Sequence, residues 1–284
     1  MRTRPGSRRS FLTRLFLWTL VGCTTTAQVN RNLVLGLISH GQETTVLQQF
    51  ASLQEQMGQR LKSRILLEPA FSESLAIQRL QDYSWDLIFA PPGLAAIAIS
   101  RHQYTPLFPL ESLQQSQSIF LVAHQSPIQY LHQLNHKAIA LGQPGSATGY
   151  YLPLYNLYGL TIAKFKLAPT PQTILDWISN QTVDAGAMSQ TDLEQLIPHW
   201  QQSAYRVIFQ DSRSIPPGVI LMSPRIERNH QEKIRTTLTQ IPSEIQQAIG
   251  YSPTAPVPDY RFMIAIMERV QEITGNLRER GMSG

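Results

Sequence analysis

Ser146-Ala147-Thr148-Gly149-Tyr150 is the stretch whose residue types and spacing come closest to chemistry. It follows the apolar run Ala138 to Leu141 and the turn Gly142-Gln143-Pro144-Gly145, and it opens a segment from Tyr150 to Tyr158 with apolar residues at helical spacing. Ser146 and Thr148 therefore fall where a helix begins. The first amides of a helix have no intrahelical acceptor, the macrodipole places partial positive charge there, and small hydroxyl residues add donors without blocking approach. Such a segment suits a small oxyanion, with Ser146, Ala147, Thr148 and Gly149 around it, while the simpler reading leaves Ser146 as the helix N-cap alone. Ser39 and His40 end the first apolar run, and Ser189 holds the matching place in a later one, so these three face the same region. Other chemistries find less support. His132 and His136 have the spacing of a helical metal pair but no intervening glutamate and no third ligand nearby, no Gly-x-Ser-x-Gly elbow surrounds Ser146, and Gly142 to Gly149 lacks the lysine of a nucleotide-binding loop. No cofactor, metal or catalytic residue is expected.

The elements that must position these residues alternate from Asn32 onward, short apolar runs with amphipathic stretches, which predicts an α/β architecture with mostly parallel strands. Strands are expected at Leu33 to Ile38, Ile65 to Leu67, Asp86 to Ala90, Ile119 to Val122, Ala138 to Leu141, Lys164 to Leu167, Val183 to Met188 and Val219 to Met222. Helices are expected at Thr44 to Lys62, Ser74 to Gln81, Leu94 to Ser100, Ile128 to Leu134, after Ser146 and at Thr173 to Ser179. Leu80 to Asp86 and Ile178 to Asp184 echo each other, each running from a helix end to an aspartate that opens a strand. Asp86 and Asp184 read as structural residues, since a carboxylate beside an oxyanion repels it unless it accepts a proton from it. The echo predicts two lobes of like construction, 32–117 with 211–284 and 118–210, joined by two crossings and separated by a cleft.

Residues 1–22 read as an export segment. Arg2, Arg4, Arg8, Arg9 and Arg14 form a basic head, Leu15 to Val21 an apolar stretch of seven residues, too short for a hydrocarbon core that needs about 20. Leu20-Val21-Gly22-Cys23 resembles a bacterial lipoprotein box, which makes Cys23 the lipidated residue and 23–31 a tether; Ser7 to Leu12 resembles a twin-arginine signal, with Thr13 in place of the usual lysine. Those five arginines account for the whole excess of 24 basic over 19 acidic residues, so the remainder carries no net charge and gives no footing for nucleic acid. With Cys23 the one cysteine, no intramolecular disulfide forms, and stability rests on a core that 42% apolar residues can supply.

Several stretches together resemble the substrate-binding proteins of phosphate, phosphite and phosphonate ABC importers, the periplasmic phosphonate-binding family. They are Leu35 to Ile38, Asp86 to Phe89, Ser126-Pro127-Ile128 with Leu134 and Lys137, Pro144 to Tyr150 with Pro153, and Val183 to Ala187, with Ile215-Pro216-Pro217 as a weaker sixth. The resemblance implies a type II periplasmic-binding-protein fold whose two lobes close on a small phosphorus oxyanion held at Ser146 to Gly149. Phe71 stands where the family tends to place a tyrosine, and joins the expected ligand contacts. The chain departs from the family at Gly145 and Ala147, where hydroxyls are usual, at Ala90, and at Pro171-Gln172, which replaces a His-acid pair found in aminoalkylphosphonate binders. A ligand ammonium would then lack a carboxylate partner. The expected whole is a monomeric lipoprotein on the periplasmic side of the cytoplasmic membrane, not an enzyme, delivering its ligand to an ABC permease. A ligand-sensing module for a membrane signalling protein and an exported phosphoester-acting enzyme are the alternatives. Replacing Cys23 with alanine is expected to abolish labelling by a radioactive fatty acid and to move the protein out of the membrane fraction.

Overall fold

The computed structural model describes residues 32–39, 43–111, 116–198 and 204–279; the expected export segment at 1–22, Cys23 with the expected tether, and His40 lie outside them. The chain builds two five-stranded sheets on one plan. In the first, β2 (Ile65–Ala70), β1 (Leu33–Ile38) and β3 (Leu87–Ala90) run parallel, followed by β10 (Gly218–Met222) and the edge strand β4 (Thr105–Leu110), β10 being antiparallel to both of its neighbours. In the second, β7 (Lys164–Leu167), β6 (Ala138–Leu141) and β8 (Ala185–Ser189) run parallel, followed by β5 (Ser118–Ala123) and the edge strand β9 (Tyr205–Gln210). The chain thus passes to the second sheet after β4 and returns after β9 to insert β10 into the first. This is the two-lobed fold of type II periplasmic binding proteins, with mixed rather than wholly parallel sheets.

Helices cover the sheet faces because their apolar residues recur on one side. Helix α1 (Glu43–Leu61) buries Phe50, Leu53, Met57 and Leu61 against the first sheet, where α7 (Arg228–Thr239) and α8 (Ser243–Ile249) complete the layer through Ile234, Leu238 and Ile249. In the second lobe α5 (Pro171–Ser179) and α6 (Gln190–Leu196) bury Ile174, Leu175, Ile178 and Leu193. A third apolar cluster joins the lobes: Leu94, Ile97 and Ala98 of α3 (Pro92–His102) and Met263, Ile266 and Met267 of α9 (Arg261–Glu279) belong to one core with Tyr151, Leu152 and Leu154 at the start of α4 (Leu152–Asn156). Helix α2 (Glu73–Gln81) starts behind its N-cap Ser72, whose side chain accepts from the Leu75 amide.

Several elements differ from the sequence-based expectation, which included neither β9 nor α6. In place of a helix over Ile128 to Leu134 there is one 3-10 turn at Leu131–Leu134, because the Gln133 side chain caps it by accepting from the Gln129 and Tyr130 amides and His136 turns the chain out with a φ of 58°. Strand β4 was not expected across Pro106 and Pro109; its edge position is where a sheet tolerates missing donors.

The echo seen in the sequence has a physical basis. Asp86 accepts from the Val34 amide at 2.9 Å while its own amide donates to the Val34 carbonyl, and Asp184 does the same with Ala138, at 2.8 Å. Each aspartate closes the open end of the neighbouring strand. Asp86 is buried, whereas the Asp184 side chain is 41% exposed beside Lys137. Asp86→Ala is therefore expected to cost about 1–3 kcal/mol in urea unfolding, since it empties a buried site and takes the partner from the half-buried Val34 amide, and Asp184→Ala less than about 1 kcal/mol, since water replaces the carboxylate.

Candidate functional site

The segment between β6 and α4 folds back on itself. The Gly142 amide donates to the Gly149 carbonyl at 2.8 Å, the Ser146 amide to the Gln143 carbonyl at 3.1 Å, and the Ser118 hydroxyl of β5 to the Thr148 carbonyl at 2.6 Å. Residues Ala147–Tyr151 form a π-helical turn, entered by a bond from the Tyr151 amide to the Ser146 carbonyl, a geometry that concentrates at functional sites. Gly145 takes a φ of 112°, open to glycine at little cost.

Beside this turn lies a cavity of about 40 Å³ at the carboxyl ends of β6, β7 and β8. Ser146, Thr170 and Ser189 line it, and each caps the helical segment that follows: their hydroxyl oxygens accept from the amides of Gly149 at 3.0 Å, Thr173 at 3.2 Å and Asp192 at 2.9 Å. A hydroxyl that accepts in this way keeps its proton to donate. Gly142, Gln143, Ala187 and Ile174 fill in the wall, which also includes the acidic residues Glu73 and Asp192. The lining so combines three hydroxyl residues with two acidic ones. Glu73 comes from the first lobe; the other lining residues belong to the second.

The lobes meet directly at this place. A Cβ on Gly93, in the first turn of α3, would stand 2.2 Å from the Gly145 carbonyl oxygen and 2.7 Å from the Ala147 nitrogen, and one on Gly145 would stand 2.8 Å from Glu73 Cβ. No side chain larger than hydrogen fits there.

The structure brings Ser146, Gly149 and Ser189 to the cavity wall. Ala147 is buried under Gly93, and Thr148 lies off the wall with its carbonyl held by Ser118. Ser39 is buried with its hydroxyl donating to the Ala70 carbonyl at 3.3 Å, and Phe71 is 65% exposed and outside the lining. Sequence reasoning missed Glu73, Thr170 and Asp192. Thr170 carried a usable signal, since Ala168-Pro169-Thr170-Pro171 repeats the pattern of a strand end followed by a hydroxyl N-cap. The two acids carried none, because topology alone brings them there. Among the described residues no group of three or more His, Cys, Asp or Glu is placed to hold a metal, and His132 stacks on Tyr130.

Behind the cavity, the return crossing is tied to α4. Asp211 is buried, receives Arg213 through its backbone amide, Nε and Nη2, and accepts from Asn156 Nδ2 at 2.8 Å, while the guanidinium lies over the Tyr155 ring. Burial alone raises the carboxyl, but the hydrogen bonds from Arg213 and Asn156 outweigh it and hold the Asp211 pKa below the ordinary carboxylate value.

The sequence matches the family model of the phosphonate ABC transporter periplasmic substrate-binding protein over residues 35–259, so the chain belongs to that family, whose members bind solutes for transport rather than act as enzymes. No functionally curated protein matches it. Among solved structures, it is similar to a Xanthomonas citri protein bound to ATP, at 21% identity and a TM-score of 0.72 over 85% of this chain and 98% of that one. It is also similar to PhnD1 from Prochlorococcus marinus in complex with methylphosphonate, at 13% identity and a TM-score of 0.67 over 85% and 99% of the two chains. A binding-protein component of an ABC phosphonate transporter from Pseudomonas aeruginosa gives 14% identity and a TM-score of 0.62 over 85% and 86%. At these identities the likeness carries the fold. Among the described residues, no helix is long and apolar enough to cross a membrane.

The depressed Asp211 pKa makes an acid-side prediction. A carboxyl whose folded pKa lies below its unfolded one contributes stability that is present above the unfolded pKa and lost as pH falls through the folded value. Wild-type protein is expected to lose more unfolding free energy than Asp211→Asn between about pH 5 and about pH 3, as read by urea titration at each pH.

Proposed function

We propose that this chain is a lipid-anchored binding protein that captures a small phosphorus oxyanion, among phosphate, phosphite and simple phosphonates, in the cavity at the ends of β6, β7 and β8, and delivers it to an ABC permease. The observation that carries the reading is the convergence of Ser146, Thr170 and Ser189, each at the start of a helical segment, on one cavity. A volume of about 40 Å³, room for about three waters, favours one tetrahedral group such as the methylphosphonate of the Prochlorococcus relative over the ATP of the Xanthomonas relative. Glu73 and Asp192 favour a ligand that keeps a proton, since a P–OH donates to a carboxylate while a fully ionised oxygen is repelled by it.

In this reading the two lobes, 32–117 with 211–284 and 118–210, move about the crossings, and the ligand shifts the population toward the closed form because it gains contacts to both. Glu73 is the acceptor from the first lobe, and the hydroxyl donors belong to the second. The protein acts as a monomer, held by Cys23 at the periplasmic face of the cytoplasmic membrane.

Calorimetry against phosphate, phosphite, methylphosphonate, chloride and acetate tests the reading. At least one phosphorus anion is expected to bind well above the other two classes; silence of all three at millimolar concentration would refute it. Ser146→Asp keeps a good N-cap while adding negative charge to the wall, so it is expected to weaken phosphorus-anion binding at least about tenfold without lowering the melting temperature.

A further inference from the structure

The contact between Ser74 and Gln143 joins the two lobes beside the cavity. Ser74 is the second residue of α2 in the first lobe, and Gln143 belongs to the loop after β6 in the second. The Ser74 hydroxyl donates to Gln143 Oε1 at 3.0 Å, and Gln143 Nε2 donates to the Ala168 carbonyl at 3.0 Å. The second bond fixes the polarity of the first. An amide turned the other way would set Oε1 against a carbonyl oxygen, so the Ala168 carbonyl orients Gln143 with its acceptor toward the opposite lobe.

The position of this bond is equally specific. Gln143 lines the cavity, as does Glu73, the neighbour of Ser74; Glu73 is buried whereas Ser74 is exposed. The Ser74–Gln143 bond therefore sits where the cavity wall passes into solvent, with one end on each lobe. Both ends are stiff. Ser72 caps the start of α2, and the Gly142 to Gly149 backbone bond closes the loop that carries Gln143. The short serine reaches its partner because Gly93 and Gly145 let the backbones approach to contact.

We infer that Gln143 is a strap across the mouth of the cavity: through Ser74 it fastens the two lobes to each other and sets how long a ligand stays. The fastening itself is independent of the ligand's identity; the effect on residence time rests on the proposed function. Because the bond is neutral and partly exposed, its share is that of one ordinary hydrogen bond, enough to change the open-to-closed ratio by about fivefold and not enough to hold the lobes shut alone.

The strap is tested in the mature-length chain with Cys23→Ser and spin labels on Ser52→Cys in α1 and Gln195→Cys in α6, both exposed and on different lobes. Without added anion, pulsed electron resonance is expected to show a longer-distance population that grows about fivefold in Ser74→Ala and in Gln143→Ala, with the double variant no different from either single one. Distance distributions identical to the parent in both variants would overturn the strap, as would a double variant whose effect is the sum of the singles. Unchanged circular dichroism separates opening from unfolding. A second arm uses methylphosphonate in stopped flow, where dissociation is expected to quicken by a similar factor in both variants. Absence of binding by the parent counts against the proposed function and leaves the distance measurement to decide the strap.

Discussion

The backbone contact between Gly93 and the Gly145 to Ala147 segment is the constraint on which the site depends. It requires hydrogen in place of a side chain on both sides, since a Cβ at either glycine would come within 3 Å of the opposite lobe. That approach sets everything at the mouth of the cavity. It brings Glu73 from the first lobe to a wall otherwise built by the second, and it shortens the gap until a serine hydroxyl can span it. A spacer of even one methyl group would widen the seam and move the acid away from the hydroxyls. The close approach costs conformational freedom in the unfolded chain, which glycine loses more of than any other residue.

The chemistry of the wall follows from what strands and helices leave unsatisfied at their ends. Parallel strands finish on one edge of the sheet, each succeeding helix starts there, and a hydroxyl at the junction serves the helix and the solvent space at once. Ser146, Thr170 and Ser189 occupy such junctions after β6, β7 and β8. Among the described residues no arginine or lysine lines the cavity, so the polar groups it offers are hydroxyls and helix starts rather than a full cation. In the proposed reading the acids Glu73 and Asp192 work in the opposite direction and make the protonation state of the ligand matter.

Much of the fold was legible because its parallel strands are short buried runs such as Ala138 to Leu141 and Leu87 to Ala90, bounded by turn residues and followed by hydroxyl caps. The echo of Asp86 and Asp184 was legible for the same local reason, one aspartate sealing one strand start in each lobe. What escaped was set by distance in the chain. Glu73 reaches the wall only through the packing of α2 on the other lobe, and Pro106 and Pro109 disguise β4 unless its edge position is known. Thr148 shows the converse: its type and place in the loop suit an anion, yet the tie from Ser118 to its carbonyl belongs to the scaffold, and it lies off the wall.

The apolar cluster shared by α3, α9 and α4 places a second kind of contact between the lobes. Attraction between Ile97, Met267, Leu152 and their neighbours has no preferred direction, yet these buried side chains interdigitate, so the contact resists sliding and shifts only between discrete arrangements. A hydrogen bond, by contrast, fails within a few tenths of an ångström or a few tens of degrees. Interdigitated side chains in one contact and a directional hydrogen bond in the other, that of Ser74, answer a tilt differently: in the proposed reading, a tilt of one sheet against the other steps between packed arrangements, and the Ser74 bond is made in one and lost in the next.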